Sequence, residues 1–461
     1  MHIRKRIVLV LLFFFKLSIL FSQTWLGMDT GLSCPTQAGS IVYDIYYDTQ
    51  FEKLYASGAM QWDGNCDTLI GPCVWEDNHW RQLAYWQGYP YFYSIINYQG
   101  SLYTGGNVSD PIVNGVLRKL VGDEWVEIPN SSDAITVTQF KIHDDYLYAT
   151  SGFNYCNGDS ANLIFRYDGQ YVEPLVHFIE PALLGLCLEF YHDTLYIGGK
   201  YYDHNRQINH FASVFGGDIH QVGQGIGVDA IVEDMVVYDD KLWLAGGFGP
   251  GTIGNEEQVY LAYYDGHEIH PAPVQTDGRV VALEVYENEL YLAGWFSQFN
   301  HLESHCVAKM NQFGCYALNP DTVYDRYGQA ASRAGNIVCD IEIMHDTLYM
   351  GGAFGSIGSC QGLNAIAKLN KSLTGAASYL ENDVQVYPNP TQDYIILETA
   401  SYFNQSAPIS IYDVSGRLIL EDYWPLGQKQ KSISLSNLST GIYVLRIVSN
   451  NEVISKSVVK R

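Results

Sequence analysis

Alternating apolar and polar positions recur along most of the chain in short runs, and this period of two predicts β-strands rather than helices. Ala230-Ile231-Val232-Glu233-Asp234-Met235-Val236-Val237-Tyr238 and Val280-Val281-Ala282-Leu283-Glu284-Val285-Tyr286 are examples. A tight polar turn follows each such run, as in Asp239-Asp240-Lys241, Glu287-Asn288-Glu289 and His345-Asp346-Thr347. Asp, Asn and Gly suit two- and three-residue hairpin loops. The next run opens on a recurring phrase. Leu54-Tyr55-Ala56-Ser57-Gly58 is its first copy, and others start at Leu102, Leu147, Leu195, Leu242, Leu290 and Leu348. Its glycines end the strand and let neighbouring backbones come close. A third run (Leu163-Ile164-Phe165-Arg166-Tyr167, Leu261-Ala262-Tyr263-Tyr264, Ile366-Ala367-Lys368-Leu369) and a short fourth one complete the unit. The fourth often opens on an aromatic residue: Trp80, Trp125 or Tyr171.

The leading leucines are spaced 48, 45, 48, 47, 48 and 58 residues apart. Strand chemistry repeating at such a period is the sequence signature of a β-propeller. The seventh repeat lacks a fourth run, whereas Thr24-Trp25-Leu26-Gly27 is a fourth-strand phrase with nothing before it. The expected fold is therefore all-β: a seven-bladed β-propeller over 23–372, closed by an N-terminal strand at Trp25–Gly27, which removes an exposed sheet edge. The double glycine, the third-strand tyrosine and the tryptophan opening the fourth strand resemble kelch-type propellers over about residues 24 to 372. Tyr167-Asp168-Gly169 and Tyr264-Asp265-Gly266 carry that signature, and Phe215 and Phe313 stand near its place in two other repeats. This resemblance implies architecture only, since the superfold hosts both enzymes and passive binders.

Residues 373–383 are small and polar and read as a linker. From 384 to 461 the texture changes to short alternating strands with Asn-Pro and Ser-Gly turns, which suits a small Ig-like β-sandwich. The opening Tyr387-Pro388-Asn389-Pro390, then Tyr412-Asp413-Val414-Ser415-Gly416-Arg417, Leu438-Ser439-Thr440-Gly441-Ile442-Tyr443 and the basic end Lys460-Arg461 follow in order. Together they resemble the type A C-terminal sorting domain of type IX secretion in Bacteroidetes. The resemblance implies passage across the outer membrane, removal of the tail, and release or attachment at the cell surface, with the type IX machinery as partner.

The other end of the chain agrees with export. Residues 1–22 carry a basic start (Arg4, Lys5, Arg6), an apolar stretch and Ser22, which together read as a secretory signal peptide. The stretch is too short for a membrane anchor. The first cysteine is Cys34, which argues against a lipid anchor. The formal charge is −24, and losing the leader makes it more negative. So acidic a chain repels nucleic acid and anionic lipid. No later segment of the mature chain reads as transmembrane.

Nine cysteines in an exported chain are free to oxidise. Sequence proximity makes Cys66–Cys73 and Cys306–Cys315 the candidate bridges, and the odd count leaves one thiol over. Loops between second and third strands share a face with the links between repeats, and several are long. Trp62, Tyr155, Tyr201, Tyr202, Trp295 and Phe299 fall on or beside that face, where aromatics stack on sugar rings or on a partner's apolar side chains. The long link before the last repeat adds Tyr324 and Arg326, the latter suited to a carboxylate. His143, His192 and His345 recur at one turn and read as structural. His204 with His210, and His301 with His305, lack the acidic or thiol companions of a metal site. Asp63, Asn65 and Asp67 alternate as calcium ligands do, without the glycine and distal glutamate of an EF-hand loop. No cofactor is expected, with calcium the cation that the Asp63 loop leaves open. Asp67-Thr68-Leu69, Asp159-Ser160-Ala161 and Asp321-Thr322-Val323 resemble the O-glycosylation acceptor of Bacteroidetes.

No nucleophile elbow, metalloprotease helix or phosphate loop is present. The sequence favours a non-catalytic exported protein that holds a carbohydrate or protein ligand on its long-loop face. Two alternatives stand beside it. One is a secreted polysaccharide-acting enzyme with carboxylates gathered at the channel mouth. The other is a structural or adhesive surface protein without a specific ligand.

Overall fold

A computed structural model describes residues 25–461 except 35–39, 64, 85–90, 108–116, 130–133, 154–162, 177–183, 204–207, 228–229, 250–252, 254–257, 313, 326–329, 331–337, 370–383, 399–406, 414–416, 426–427 and 450–451. The expected leader at 1–22 and linker at 373–383 lie outside the described residues, as do Tyr155, His204, Phe313, Arg326 and Gly416. The described residues are all-β and contain no helix.

Between Trp25 and Leu369 they form seven four-stranded antiparallel sheets and two smaller ones. The first strand of each large sheet is here called its inner strand. In chain order these are Val42–Asp48, Tyr91–Tyr98, Ala134–His143, Leu184–Tyr191, Ala230–Tyr238, Val280–Tyr286 and Val338–Met344. The Leu-Tyr phrase lies on the second strand of each sheet, as in Lys53–Gly58, Thr194–Asp203 and Thr347–Gly352. The hairpins that join first and second strands have positive φ at both central residues: Asp144-Asp145, His192-Asp193, Asp239-Asp240, Glu287-Asn288 and His345-Asp346. That is the backbone of a type I′ turn, whose twist matches the strands it joins.

The glycines of the phrase are set by packing. A Cβ on Gly198 would lie 2.6 Å from Val232 Cγ1 on the next inner strand, and one on Gly351 would lie 2.6 Å from Val42 Cγ1. The second contact joins the seventh sheet to the first. The seventh sheet takes its outer strand from the start of the chain, with Trp25 opposite Leu369 and Gly27 opposite Ala367. Trp25 is fully buried, and its indole Nε1–H donates to Asn319 Oδ1 at 3.2 Å.

The tail has its own core. A three-stranded sheet (Gln385–Tyr387, Tyr394–Glu398, Gln430–Ser434) and a four-stranded one (Leu418–Trp424, Ala407–Asp413, Gly441–Ser449, Glu452–Lys460) enclose Ile395, Leu397, Ile409, Trp424, Leu445 and Val458.

The one bridge among the described cysteines joins Cys34 to Cys66, not Cys66 to Cys73. Cys73 is a buried free thiol, and Cys306 and Cys315 are also unbridged. The expectation failed because proximity in sequence placed both partners in one loop. Cys73 instead lies on a strand, facing the core.

Candidate functional site

Every inner strand carries a register shift near its start, after the first, second or third ladder pair, and the residue skipped there bulges. The bulged residues are Tyr43, Tyr93, Thr138, Leu186, Glu233, Val281 and Cys339. A bulge leaves one residue unpaired and re-aims its neighbours. The residue that follows it is Asp44, Gln139, Asp234 or Asp340 in alternate sheets. Each reaches forward to a backbone N–H on the next inner strand. Ile95 N–H donates to Asp44 Oδ2 at 2.7 Å, Leu188 N–H to Gln139 Oε1 at 2.8 Å, Leu283 N–H to Asp234 Oδ2 at 2.7 Å, and Ile45 N–H to Asp340 Oδ2 at 2.7 Å. The N–H groups satisfied are edge groups without a ladder partner, which would otherwise be costly to enclose. The intervening sheets link forward at the opposite end, through a tyrosine that closes the inner strand. Tyr98 Oη donates to Asp145 O at 2.5 Å, Tyr191 Oη to Asp240 O at 2.9 Å, and Tyr286 Oη to Asp346 Oδ1 at 2.5 Å.

Side chains from non-adjacent sheets also meet. Gln139 Nε2–H of the third sheet donates to Asp234 Oδ1 of the fifth at 3.1 Å. Such a bond places the inner strands of the third and fifth sheets across a narrow gap, here called the channel. Glu284 and Glu342 sit two residues beyond the carboxamide and carboxylate positions on their strands, and the Lys141–Glu189 ion pair (2.6 Å) occupies the same level. Asp44, Asp234, Glu284, Asp340 and Glu342 are half-buried by accessible surface, yet burial acts on their acidity as on enclosed groups. Both statements hold for a side chain that protein surrounds on most sides while part of its surface stays accessible. Burial, with mutual repulsion added, pushes Asp44 up to about 7 and Glu284 to about 8. It also raises Glu342 to about 7, Asp234 to about 6 and Asp340 well above the usual carboxylate range.

The bulged residues stand at the end of the channel where inner strands begin, on the side of the links between sheets. Tyr43 and Tyr93 pack with ring centroids 5.0 Å apart, and Tyr91 beside them is 43% exposed. Elsewhere on this rim, Glu233 Oε1 accepts from Arg279 Nη1–H at 2.9 Å, and the Arg279 guanidinium lies 5.1 Å from the centre of the Trp295 ring. The Trp295 indole N–H is buried without a hydrogen-bond partner among the described residues. Burial raises the Glu233 carboxyl, although Arg279 opposes it. Cys339, on the same ring of bulges, is held up to about 12 by burial.

Several residues singled out from sequence lie elsewhere. Tyr201 is buried and donates through its hydroxyl to Ile197 O at 3.0 Å. Phe299 is wholly buried among Tyr238, Trp243 and Leu292. Both are core groups, out of reach of a ligand. Trp62 is half-buried and pairs with Thr68 across its loop, Tyr324 is half-buried in a small sheet opposite Ser356, and Tyr202 pairs with Asn209 through its backbone. Among the sequence candidates whose side chains are described (Trp62, Tyr201, Trp295, Phe299 and Tyr324), only Trp295 sits among the rim groups. The tyrosine pair and the channel carboxylates were missed. The signal for them was a polar or aromatic residue recurring at one position of the first run. Asp63 Oδ1 accepts the N–H groups of Asn65 and Asp67 at 2.9 Å each, which folds that loop on itself. Among the described residues no three His, Cys, Asp or Glu side chains stand together as metal ligands would.

In the tail, Asn389 clasps the last strand. Its Nδ2–H donates to Ser457 O at 2.7 Å, and its Oδ1 accepts from Val459 N–H at 2.8 Å. Arg417 is exposed and pairs with Asp413 at 3.1 Å, and Tyr443 Oη donates to Ser439 O at 2.8 Å. Residues 385–461 match the family described as "Secretion system C-terminal sorting domain". The tail is a type IX sorting domain. It sends the chain to the outside of the outer membrane, secreted or held at the surface, and its partner is the type IX secretion machinery. Among the described residues no helix is long and apolar enough to cross a membrane.

No curated protein matches the chain. Among solved structures, it is similar to an exo-beta-1,3-galactanase from Phanerochaete chrysosporium in complex with galactose. That likeness has 9% identity and a TM-score of 0.31, and it covers 94% of this chain and 99% of that one. A variant of the same galactanase with beta-1,3-galactotriose gives 10% identity and a TM-score of 0.29, covering 88% of this chain and 98% of that one.

Proposed function

We propose that this protein is an exported seven-bladed β-propeller followed by an Ig-like sorting domain, and that it binds a neutral carbohydrate at the long-loop end of its channel without cleaving it. The observation that carries this reading is the division of labour along the inner strands. The carboxylates at the post-bulge positions are occupied by backbone N–H groups of the next strand. The bulged positions present the Tyr43–Tyr93 pair to the rim. Aromatic faces at a concave mouth are the usual platform for sugar rings. Against hydrolysis stands the direction of the channel acidities. A general acid and its base partner need environments that push them apart, whereas here Asp44, Asp234, Glu284 and Glu342 all move upward together. A net charge of −24 disfavours uronate or sulfated glycans.

The test is a glycan array probed with the secreted mature protein, repeated with Tyr43→Ala. Binding to neutral glycans that weakens about ten-fold or more in the variant supports the reading. New reducing ends released from a bound polysaccharide would favour the enzyme alternative, and an array without signal would favour a structural role.

A further inference from the structure

The rim carries one ion pair that the joining of its sheets does not require. Of the bulged residues only Glu233 is charged. It meets Arg279, the residue just before the sixth inner strand, at 2.9 Å. Asp234 already joins the same two sheets through Leu283 N–H at 2.7 Å. Asp44 and Asp340 make the equivalent bond at their own sheets beside the uncharged Tyr43 and Cys339. A partly exposed ion pair also adds little to stability. The surroundings nevertheless hold this guanidinium in place. Trp295 N–H donates to Arg279 O at 2.7 Å, and the Trp295 ring centre lies 5.1 Å from the guanidinium. Gly247 of the fifth sheet makes room for it. The φ of Gly247 lies outside the left-handed region, and a Cβ there would lie 3.2 Å from Arg279 Nε and 3.4 Å from Nη2. The pair stays reachable, with the Arg279 side chain 33% and the Glu233 side chain 20% exposed. Among the described residues the guanidinium donates through Nη1 to Glu233 Oε1. An arginine has five N–H donors and a carboxylate two oxygens, so both groups keep capacity for a ligand.

We infer that Glu233 and Arg279 form a second subsite of the mouth, which recognises two adjacent hydroxyls of a neutral sugar. This rests on the reading of the mouth as a carbohydrate site. One hydroxyl accepts from the guanidinium while its neighbour donates to the carboxylate, and both bonds are charge-assisted. The two charges offset each other, so the ligand needs none of its own. That agrees with the uncharged Tyr43–Tyr93 pair on the same ring of bulges. Arg279 is already ordered by Trp295 and Gly247, which lowers the entropy cost of docking. Glu233 and Arg279 touch the sugar, and Trp295 and Gly247 position them.

The test is an array of neutral glycans printed beside their mono-deoxygenated forms and probed with the secreted mature protein. Tyr43→Ala, Arg279→Met and Glu233→Gln are compared with it, each checked for an unchanged thermal midpoint. Arg279→Lys, which keeps the charge and the stem but lacks the planar fork, stands in if Arg279→Met does not fold. The unmodified protein is expected to bind at least one glycan about ten-fold more tightly than the form lacking one hydroxyl of a vicinal pair. Arg279→Met should erase that difference. Glu233→Gln should erase it too, because its amide turns a donor toward the sugar where the carboxylate accepts. Tyr43→Ala should weaken both forms alike and leave the difference in place. If Arg279→Met keeps the full difference, the inference is overturned, while binding that still depends on Tyr43 sustains the carbohydrate reading. An array without signal overturns both. A preference confined to N-acetylated glycans also overturns the inference, since an amide offers the pair the same donor and acceptor.

Discussion

Asp340 of the last inner strand accepts the backbone N–H of Ile45, 295 residues earlier, at 2.7 Å. The bond ties the end of the ring to its beginning. Ile45 is buried, so its N–H has no water to turn to if the carboxylate is removed. Asp340→Ala is accordingly expected to destabilise the protein by about 1–3 kcal/mol, the cost of an unmet buried donor. Asp340→Asn keeps an acceptor oxygen and removes a charge from a crowded site. It is expected to cost less than about 1 kcal/mol near neutral pH and to stabilise above it. Urea denaturation at two pH values separates these outcomes.

The same crowding gives the stability a pH dependence of definite sign. Asp44, Asp234, Glu284 and Glu342 have ordinary values of 3.8 or 4.5 and are raised in the folded protein to about 6 to 8. Between those limits the folded ring holds protons that the unfolded chain has released, so stability falls as pH rises. The contribution is fully present below the unfolded values and is lost through the folded ones. Carboxyl groups held below their ordinary value, such as Asp265 at about 2, act only in stronger acid and do not reverse this trend. The thermal midpoint at about pH 8.5 is expected to lie roughly 2 °C or more below that at about pH 5.5. Glu284→Gln should flatten the profile.

Cys34 and Cys66 are separated by 32 residues and joined by a disulfide. A cross-link of that span restricts the unfolded chain by about 3–4 kcal/mol in the loop-entropy account. Reduction, or Cys66→Ser, is expected to lower stability by about that amount. Cys73 Sγ–H donates to Gly71 O at 3.2 Å, a bond that a serine hydroxyl can make, so Cys73→Ser should cost less, about 1–2 kcal/mol. Peptide mapping of the unreduced protein provides the independent check, since a Cys66–Cys73 peptide would contradict the bridge.

What the sequence revealed and what it hid divide along physical lines. The all-β character was legible because period-two runs and type I′ turn residues are local signals, and Asp239-Asp240 or Glu287-Asn288 need no partner to be read. The sorting tail was legible because its motifs occur together in a fixed order. The binding candidates were mostly not. Tyr201 and Phe299 look like rim aromatics from their place after the glycines, yet each folds back into the core, and only burial reveals that. Asp44, Gln139, Asp234 and Asp340 recur at one position of the first run, but their meaning lies in an N–H of the following strand. That N–H is unpaired only because the inner strand is an edge, which is a tertiary fact. The cysteine pairing failed for the same reason. Separation along the chain says little about which loop folds over which strand.

Trp25 supplies the last expectation. Its strand, Trp25–Gly27, completes a sheet whose other three strands lie more than 300 residues later. The ring is buried to 2% exposure among Val307, Leu318, Leu363 and Leu369. Removing a buried aromatic ring of this size costs about 3–5 kcal/mol through lost burial and the cavity left behind. Trp25→Ala is therefore expected to fall in that range by equilibrium denaturation. It should also raise light scattering, because the edge strand Ile366–Leu369 would lose its cover and become open to pairing with another chain. Trp25→Phe keeps most of the packing but leaves Asn319 Oδ1 without its indole donor. Its cost should be smaller, about 1–3 kcal/mol. A Trp25→Ala protein that unfolds at the denaturant concentration of the unmodified one would mean that the seventh sheet holds without its borrowed strand.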